Sequence, residues 1–561
     1  MERLRRKPYL FGIAAAVVVL GLAAMQFARP SRAENPRLEK YLPADSVGFI
    51  QVNDLRAQAL KIIESEAWRE FTKQNQSSSS LFMMMANHAG ALDASYAVAL
   101  LGAGQDAEGR RRPDVVMIAE FNSWSARRTF ENRVLRFVRE AGEKGVTKKE
   151  EKYEGATLNL LTREGRGAFA YAQSGNTLYM SNSTGAIKRA LDVKAGKAQS
   201  LETNAAFAQA RSRSGAQAEG AFGFLDGAAL KRLVDEAPAA GAPDGAAAFR
   251  ELFHGVGADG VQSASFTSAF DDGRVVERFV VNAPEKGGVL AAVAANPPTP
   301  QALLAFVPED ATAAFDASIA GAPNTFEELF TLFSRVAEQN GKRGPADALS
   351  EFASKTGVDL RADILASLGT EVCLAQLRNE GGHGGVVILN LKDEAAFAGA
   401  LAKFAGHHKR AVSERDYKGV TVRSIAGEKG RGIEYAFVGG NLIASGEGAL
   451  VERVIDTARG GRSLGAGEAY RAASANLTGQ PQFVYYNSNA DYLNRLGGML
   501  NGSGQEFKPS GEGASLRPSF AYGLSRPEGF YVESRTPLGI FPRLLAGISS
   551  RLAEKQEKGA E

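Results

Sequence analysis

The sequence predicts an α+β protein: two tandem copies of an antiparallel sheet packed with helices on one face, after an N-terminal transmembrane helix. Three observations carry this. First, one block occurs twice. Tyr153-Glu154-Gly155-Ala156-Thr157 returns as Tyr417-Lys418-Gly419-Val420-Thr421, and Leu178, Ser181, Ile187 and Asp192 are answered by Leu442, Ser445, Val451 and Asp456. The spacing is 264 residues both from Tyr153 to Tyr417 and from Asp192 to Asp456. Self-similarity at a fixed spacing is the mark of a duplicated unit. Second, alternating runs around each block are separated by tight Gly-containing turns, which signal hairpins rather than the crossovers of a parallel sheet. Third, Leu10 to Phe27 carries no charged residue and follows Arg3, Arg5, Arg6 and Lys7. At ~1.5 Å per residue this run spans ~27 Å, enough for a bilayer core.

The elements follow in order. The basic tail, the apolar run and a polar tether occupy 1–40. A short basic tail ahead of an apolar run favours tail inside and bulk outside, because long domains translocate largely regardless of charge. The expected location is therefore the inner membrane, single-pass, with the bulk of the chain extracytoplasmic. Cleavage at Ser31-Arg32-Ala33 is the alternative. The first α+β copy is expected over 41–295. Leu42-Pro43-Ala44-Asp45-Ser46 opens it and leads into a strand over 47–52. Asn53-Asp54 can cap a helix striped by Leu60, Ile63, Ala67 and Phe71. Leu81 to His88 reads as a buried helix. A strand pair follows over 96–101 and 115–121, then a helix from Asn122-Ser123 to about 141. The repeated block reads as strand, Gly-Arg-Gly hairpin, strand, Gly-Asn turn, strand and a helix over 184–194. A hairpin around Asp271-Asp272-Gly273 closes the copy.

Asn296-Pro297-Pro298-Thr299-Pro300 is the expected boundary, since three prolines in five residues stiffen a linker and exclude element interiors. The second copy, over 301–555, opens on Val307-Pro308-Glu309-Asp310-Ala311. Thr325 to Glu328 has the form of a capping box. A strand pair over 372–377 and 386–391, a helix from Asp393-Glu394, the repeated block, a hairpin over 520–535 and a last helix over 541–554 complete it. The anchor, the Leu-Pro-Ala-Asp opening with its helix through Trp68, and the Tyr153 and Tyr417 blocks together resemble a bacterial family, the membrane-anchored domain-of-unknown-function family 3352. That resemblance implies an envelope protein with no established activity and no catalytic residues to carry over.

Composition narrows the function classes. Net charge is +3 over 561 residues, with 44% hydrophobic and 23% charged residues. There is no clustered basic field of the kind that nucleic acid requires. Cys373 is the one cysteine, so an intramolecular disulfide and a cysteine-based zinc site are excluded. None of His88, His254, His383, His407 and His408 sits in a His-Glu-x-x-His arrangement. His407-His408 suits a helix C-terminus, and His383 reads as a turn residue among glycines. Gly255-Val256-Gly257-Ala258-Asp259-Gly260 matches a dinucleotide fingerprint by letters, but a helix precedes it and a strand follows, the reverse of what pyrophosphate binding needs. No cofactor or metal is expected. The suggestive pair is Arg166 and Arg431, each between glycines at an equivalent hairpin tip. Gly supplies positive φ there and Arg keeps the tip solvated; the sharper reading is an anion contact. The leading function is a non-enzymatic binding or structural module of the bacterial envelope, with an envelope protein or lipid as partner. The alternatives are a carrier for an apolar or lipid ligand, and a hydrolase with an unrecognised site.

Overall fold

Both copies of the repeat open alike. Pro43 and Pro308 form isolated bridges to Ser200 and Ser463, and a strand starts within a few residues of each. The structure is a computed structural model that describes residues 37–74, 93–105, 111–142, 146–163, 166–215, 220–236, 246–339, 341, 343–379, 382–427, 432–493 and 516–539. The first half contributes β1 (Gly48–Val52), β2 (Ala94–Gln105), β3 (Arg111–Phe121), β4 (Val146–Tyr153), β5 (Ala156–Arg163), β6 (Arg166–Ser174), β7 (Thr177–Ser181), β8 (Ala221–Asp226), β9 (Ser263–Asp271) and β10 (Arg274–Asn282). The second contributes β11 (Ala313–Ser318), β12 (Leu368–Asn379), β13 (Gly382–Leu391), β14 (Val412–Tyr417), β15 (Val420–Ile425), β16 (Ile433–Val438), β17 (Asn441–Ser445), β18 (Phe483–Asn487), β19 (Ser519–Arg526) and β20 (Gly529–Thr536).

Pairing is antiparallel throughout. The first half runs β4-β5-β6-β7-β3-β2-β1-β8-β9-β10. The second runs β14-β15-β16-β17-β13-β12-β11-β18-β19-β20, the same order. Leu178 and Leu442 sit on the matching strands β7 and β17, and Ile187 and Val451 are fully buried on the helices that follow. The block's tips explain its sequence. Glu154-Gly155, Lys418-Gly419 and Asp272-Gly273 all have positive φ at both residues. Their twist is that of a two-residue hairpin turn, which glycine makes accessible.

Two expectations are corrected. The copies do not form separate sheets: β10 pairs with β20, so one 20-stranded antiparallel sheet runs through the whole fold. Arg274 and Gly529 open these two strands, and Arg278 and Glu533, each four residues on, face each other in the ladder. Equivalent positions therefore meet across the seam, as a local twofold requires. The helices also cover both faces rather than one. On the first face, the helices Thr184–Lys194 and Ala205–Arg213 bury Ile187, Leu191 and Phe207, and Gly448–Ala458 and Glu468–Ser474 do the same in the second half. On the other face, Phe130 from Trp124–Gly142 and Phe397 from Glu394–His407 pack on the sheet.

Smaller departures have local causes. The helix expected through Phe71 breaks into Leu55–Ile63 and Glu66–Gln74, because Ser65 Oγ caps Trp68 N–H and restarts the chain. Thr325 lies inside a helix that already begins at Ala322, so it caps nothing. His383 is in β13. The outermost strands β4 and β14 carry Lys148, Lys149, Glu150 and Glu151, and Glu414, Arg415 and Asp416; charged edges discourage further strand addition. Among the described residues no helix is long and apolar enough to cross a membrane. The expected span over 10–27, the helix over 81–88 and the last helix over 541–554 lie outside the described residues.

Candidate functional site

The residues that the two copies share turn out to hold the fold. Arg189 reaches Asp45 at 2.8 Å and the Leu101 carbonyl at 2.8 Å. Arg453 repeats this with Asp310 at 2.7 Å and the Arg378 carbonyl at 2.7 Å. The Tyr153 hydroxyl donates to Asp192 at 2.7 Å, and that of Tyr417 to Asp456 at 2.9 Å. Ser181 and Ser445 donate to the Val115 and Gly385 carbonyls. Each aspartate of the opening motif is thus a strap from loop to helix. The shallow groove of about 540 Å³ beside Asp310 is lined by the Arg453–Asp310 pair and by a pair between Arg462 and Glu309.

Of the sequence-predicted site residues, Arg166 opens β6 and pairs with Arg163 across the tip; Arg431 lies outside the described residues. His407 ends the helix Glu394–His407 and His408 is its C-cap residue. His254 lies between Asp259 at 2.8 Å and Asp235 at 3.0 Å, with Lys231 also on Asp235. This is a surface charge cluster that ties the fingerprint-like glycine turn to a helix. His383 meets Asp491 at 2.8 Å and the Thr312 hydroxyl at 3.5 Å. A carboxylate, an imidazole and a hydroxyl in that order have the form of a nucleophile relay. Thr312, however, is 5% exposed and hydrogen-bonds the Gln376 carbonyl at 3.1 Å, so its oxygen is neither free nor accessible to attack. No set of three metal-binding side chains converges among the described residues.

What distinguishes the second face is a line of apolar positions that crosses the seam. Directly paired residues point to the same side of a sheet. Tyr171, Met180 and Met117 begin the line. It passes through Val98, Ile50 and Gly223 to Phe266, Phe279 and Val532, then Gly523, Phe483 and Ala317, and ends through Val372 and Leu389 at Leu442 and Phe437. The flanks are buried under helices. Between the flanks two side chains are exposed: Phe279 at the seam, 38%, and Leu374, five strands away on β12, 48%. The described helices leave these two side chains uncovered. Gly288–Ala295, of sequence Gly-Val-Leu-Ala-Ala-Val-Ala-Ala, buries no residue fully and is tied to the second face by Ser525 on its Ala294 carbonyl. Ala322–Gln339 buries only Leu332 and leaves Phe333 48% exposed.

A second group escaped the sequence reading. Asp316 and Glu371 are 0% and 2% exposed, on adjacent strands of the first face. The signal was present: in Ala314-Phe315-Asp316-Ala317-Ser318 the acid falls in the inward register.

Residues 286–503 match the family described as Protein of unknown function (DUF3352), so the second half carries a domain of that family. No curated protein matches the chain. A solved structure titled "Structure of crystal form I of TP0453" is 14% identical, over 41% of this chain and 77% of its own, with a TM-score of 0.23, a likeness too weak to bear on the fold.

Proposed function

We propose that the chain is a non-enzymatic binding or structural module of the bacterial envelope, held at the cytoplasmic membrane by residues 10–27 with its bulk outside. The carrying observation is the division of labour between the faces. The polar residues kept in both copies are engaged in straps within the fold, whereas apolar side chains of the second face, Phe279 and Leu374, are exposed. Deleting residues 1–33 should move the protein from the membrane to the soluble fraction on ultracentrifugation. A full-length mature protein that begins at Glu34 would overturn the anchor.

The apolar line, exposed at Phe279 and beside it at Leu374 on β12, favours one second reading, a carrier whose ligand is an acyl chain. Such a chain is long, narrow and uncharged, like the stretch from Phe279 to Leu374. Native mass spectrometry after mild detergent extraction should then find lipid on the wild type, and the double variant Phe279→Glu, Leu374→Glu should lose most of it while circular dichroism stays unchanged. Equal lipid on both proteins would sink the carrier reading and leave the module reading standing.

A further inference from the structure

We propose that Asp316 and Glu371 form a proton-operated latch, which holds the entry segment 299–304 of the second half against the sheet and releases it when the pair loses its shared proton. The geometry places both acids under this segment. Thr299 Oγ1 donates to Asp316 Oδ1 at 2.6 Å, and the Leu303 N–H donates to Glu371 Oε1 at 3.0 Å. Ser318 faces Glu371 in the ladder, so Asp316 stands diagonally beside it on the same face. Asp316 Oδ2 is buried with no hydrogen-bond donor; an oxygen so placed is costly as a charge and acceptable as O–H.

Among the described residues, the surroundings supply no compensating cation. β12 presents Cys373 opposite Asp316, β18 presents Val484, the helix Glu468–Ser474 presents Tyr470, and the linker presents Thr299. Among the described groups acting on Asp316, the one charge is that of Glu371. Two like acids in a dry site cannot both ionise cheaply, so one proton is retained. Burial, and then Glu371, push the Asp316 carboxyl up to about 8. The sign follows from the raised value. The folded protein keeps a proton that the unfolded chain gives up near 3.8, so stability falls as pH rises from there toward about 8, where the folded site ionises as well.

In the first half the equivalent strand position is a neutral amide. Gln51 lies eight residues beyond Pro43, as Asp316 does beyond Pro308, and its Oε1 accepts the Leu38 N–H at 3.1 Å. The fold accepts a neutral amide here, and the buried acid of the first half's segment, Glu39, has a cation partner in Arg211, so the unpaired acid pair belongs to the second half. Because 299–304 begins within the proline-rich linker, its release slackens the connection between halves.

Hydrogen exchange on the full chain in detergent, corrected for intrinsic pH dependence, tests this. Amides of 299–304 should lose at least tenfold protection between pH 6.5 and 9, while Leu38–Tyr41 stays flat. Asp316→Asn and, separately, Glu371→Gln should each abolish the step. A wild-type profile without a step, or a step retained in whichever of the two variants folds by circular dichroism, would overturn the latch.

Discussion

Glu533→Ala should destabilise the folded protein by about 2–4 kcal/mol, somewhat below the cost of breaking a fully buried pair because Arg278 keeps some contact with water. Glu533 is buried at the seam and accepts from Arg278 at 2.9 Å, Tyr531 at 2.7 Å and Arg535 at 3.1 Å. Removing it leaves two guanidinium groups and a phenol short of their acceptor, where water replaces it poorly. These contacts hold the carboxyl below the ordinary glutamate range despite its burial. The stabilisation is therefore present at neutral pH and is lost as pH falls below 4.5 toward the folded value. Urea denaturation from pH 7 to pH 3 checks both claims. The wild type should lose its advantage over Glu533→Ala at the acid end. A variant within 1 kcal/mol of wild type at pH 7, or a gap that does not narrow with acid, would show that the cluster is surface decoration.

This seam was not legible in the sequence, and the reason is physical. Hairpin tips such as Asp272-Gly273 announce the partner a few residues away, so the local ladders β9–β10 and β19–β20 could be read directly. The β10–β20 pairing joins Arg278 to Glu533, and no turn chemistry records a contact at that range. The duplication itself was legible because it repeats side chains. What those side chains do was not. Asp45 finds Arg189 across 144 residues, and a motif of Leu-Pro-Ala-Asp looks the same whether its acid binds a ligand or straps a loop. The same limit hid the apolar line. Phe279, Phe483 and Leu374 each read as ordinary alternating strand residues, and only the register shows that they share one face. Ser65 was missed for a local reason: a cap in mid-stripe interrupts a helix without disturbing its apolar period.

Gly529→Ala should be the most damaging single methyl in the seam. Gly529 has φ +147°, which a side chain rarely tolerates, and an added Cβ would stand 1.8 Å from the Val281 carbonyl oxygen. That oxygen belongs to β10, and Gly529 faces Asn282 in the ladder that joins the halves. The neighbouring Ala283 N–H to Glu528 carbonyl bond, 2.7 Å, holds the same backbone from the other side. The chain cannot swing clear without opening the pairing. Backbone strain and overpacking together should cost about 3–5 kcal/mol. Gly419→Ala is the matched control. It also has positive φ, +76°, but its Cβ would meet nothing within 4 Å, so it should cost only about 1–2 kcal/mol. Urea midpoints at equal m-values compare the two. If Gly529→Ala falls no further than Gly419→Ala, the two strands yield at no cost at this point, and the rigid continuity of the sheet across the halves is refuted.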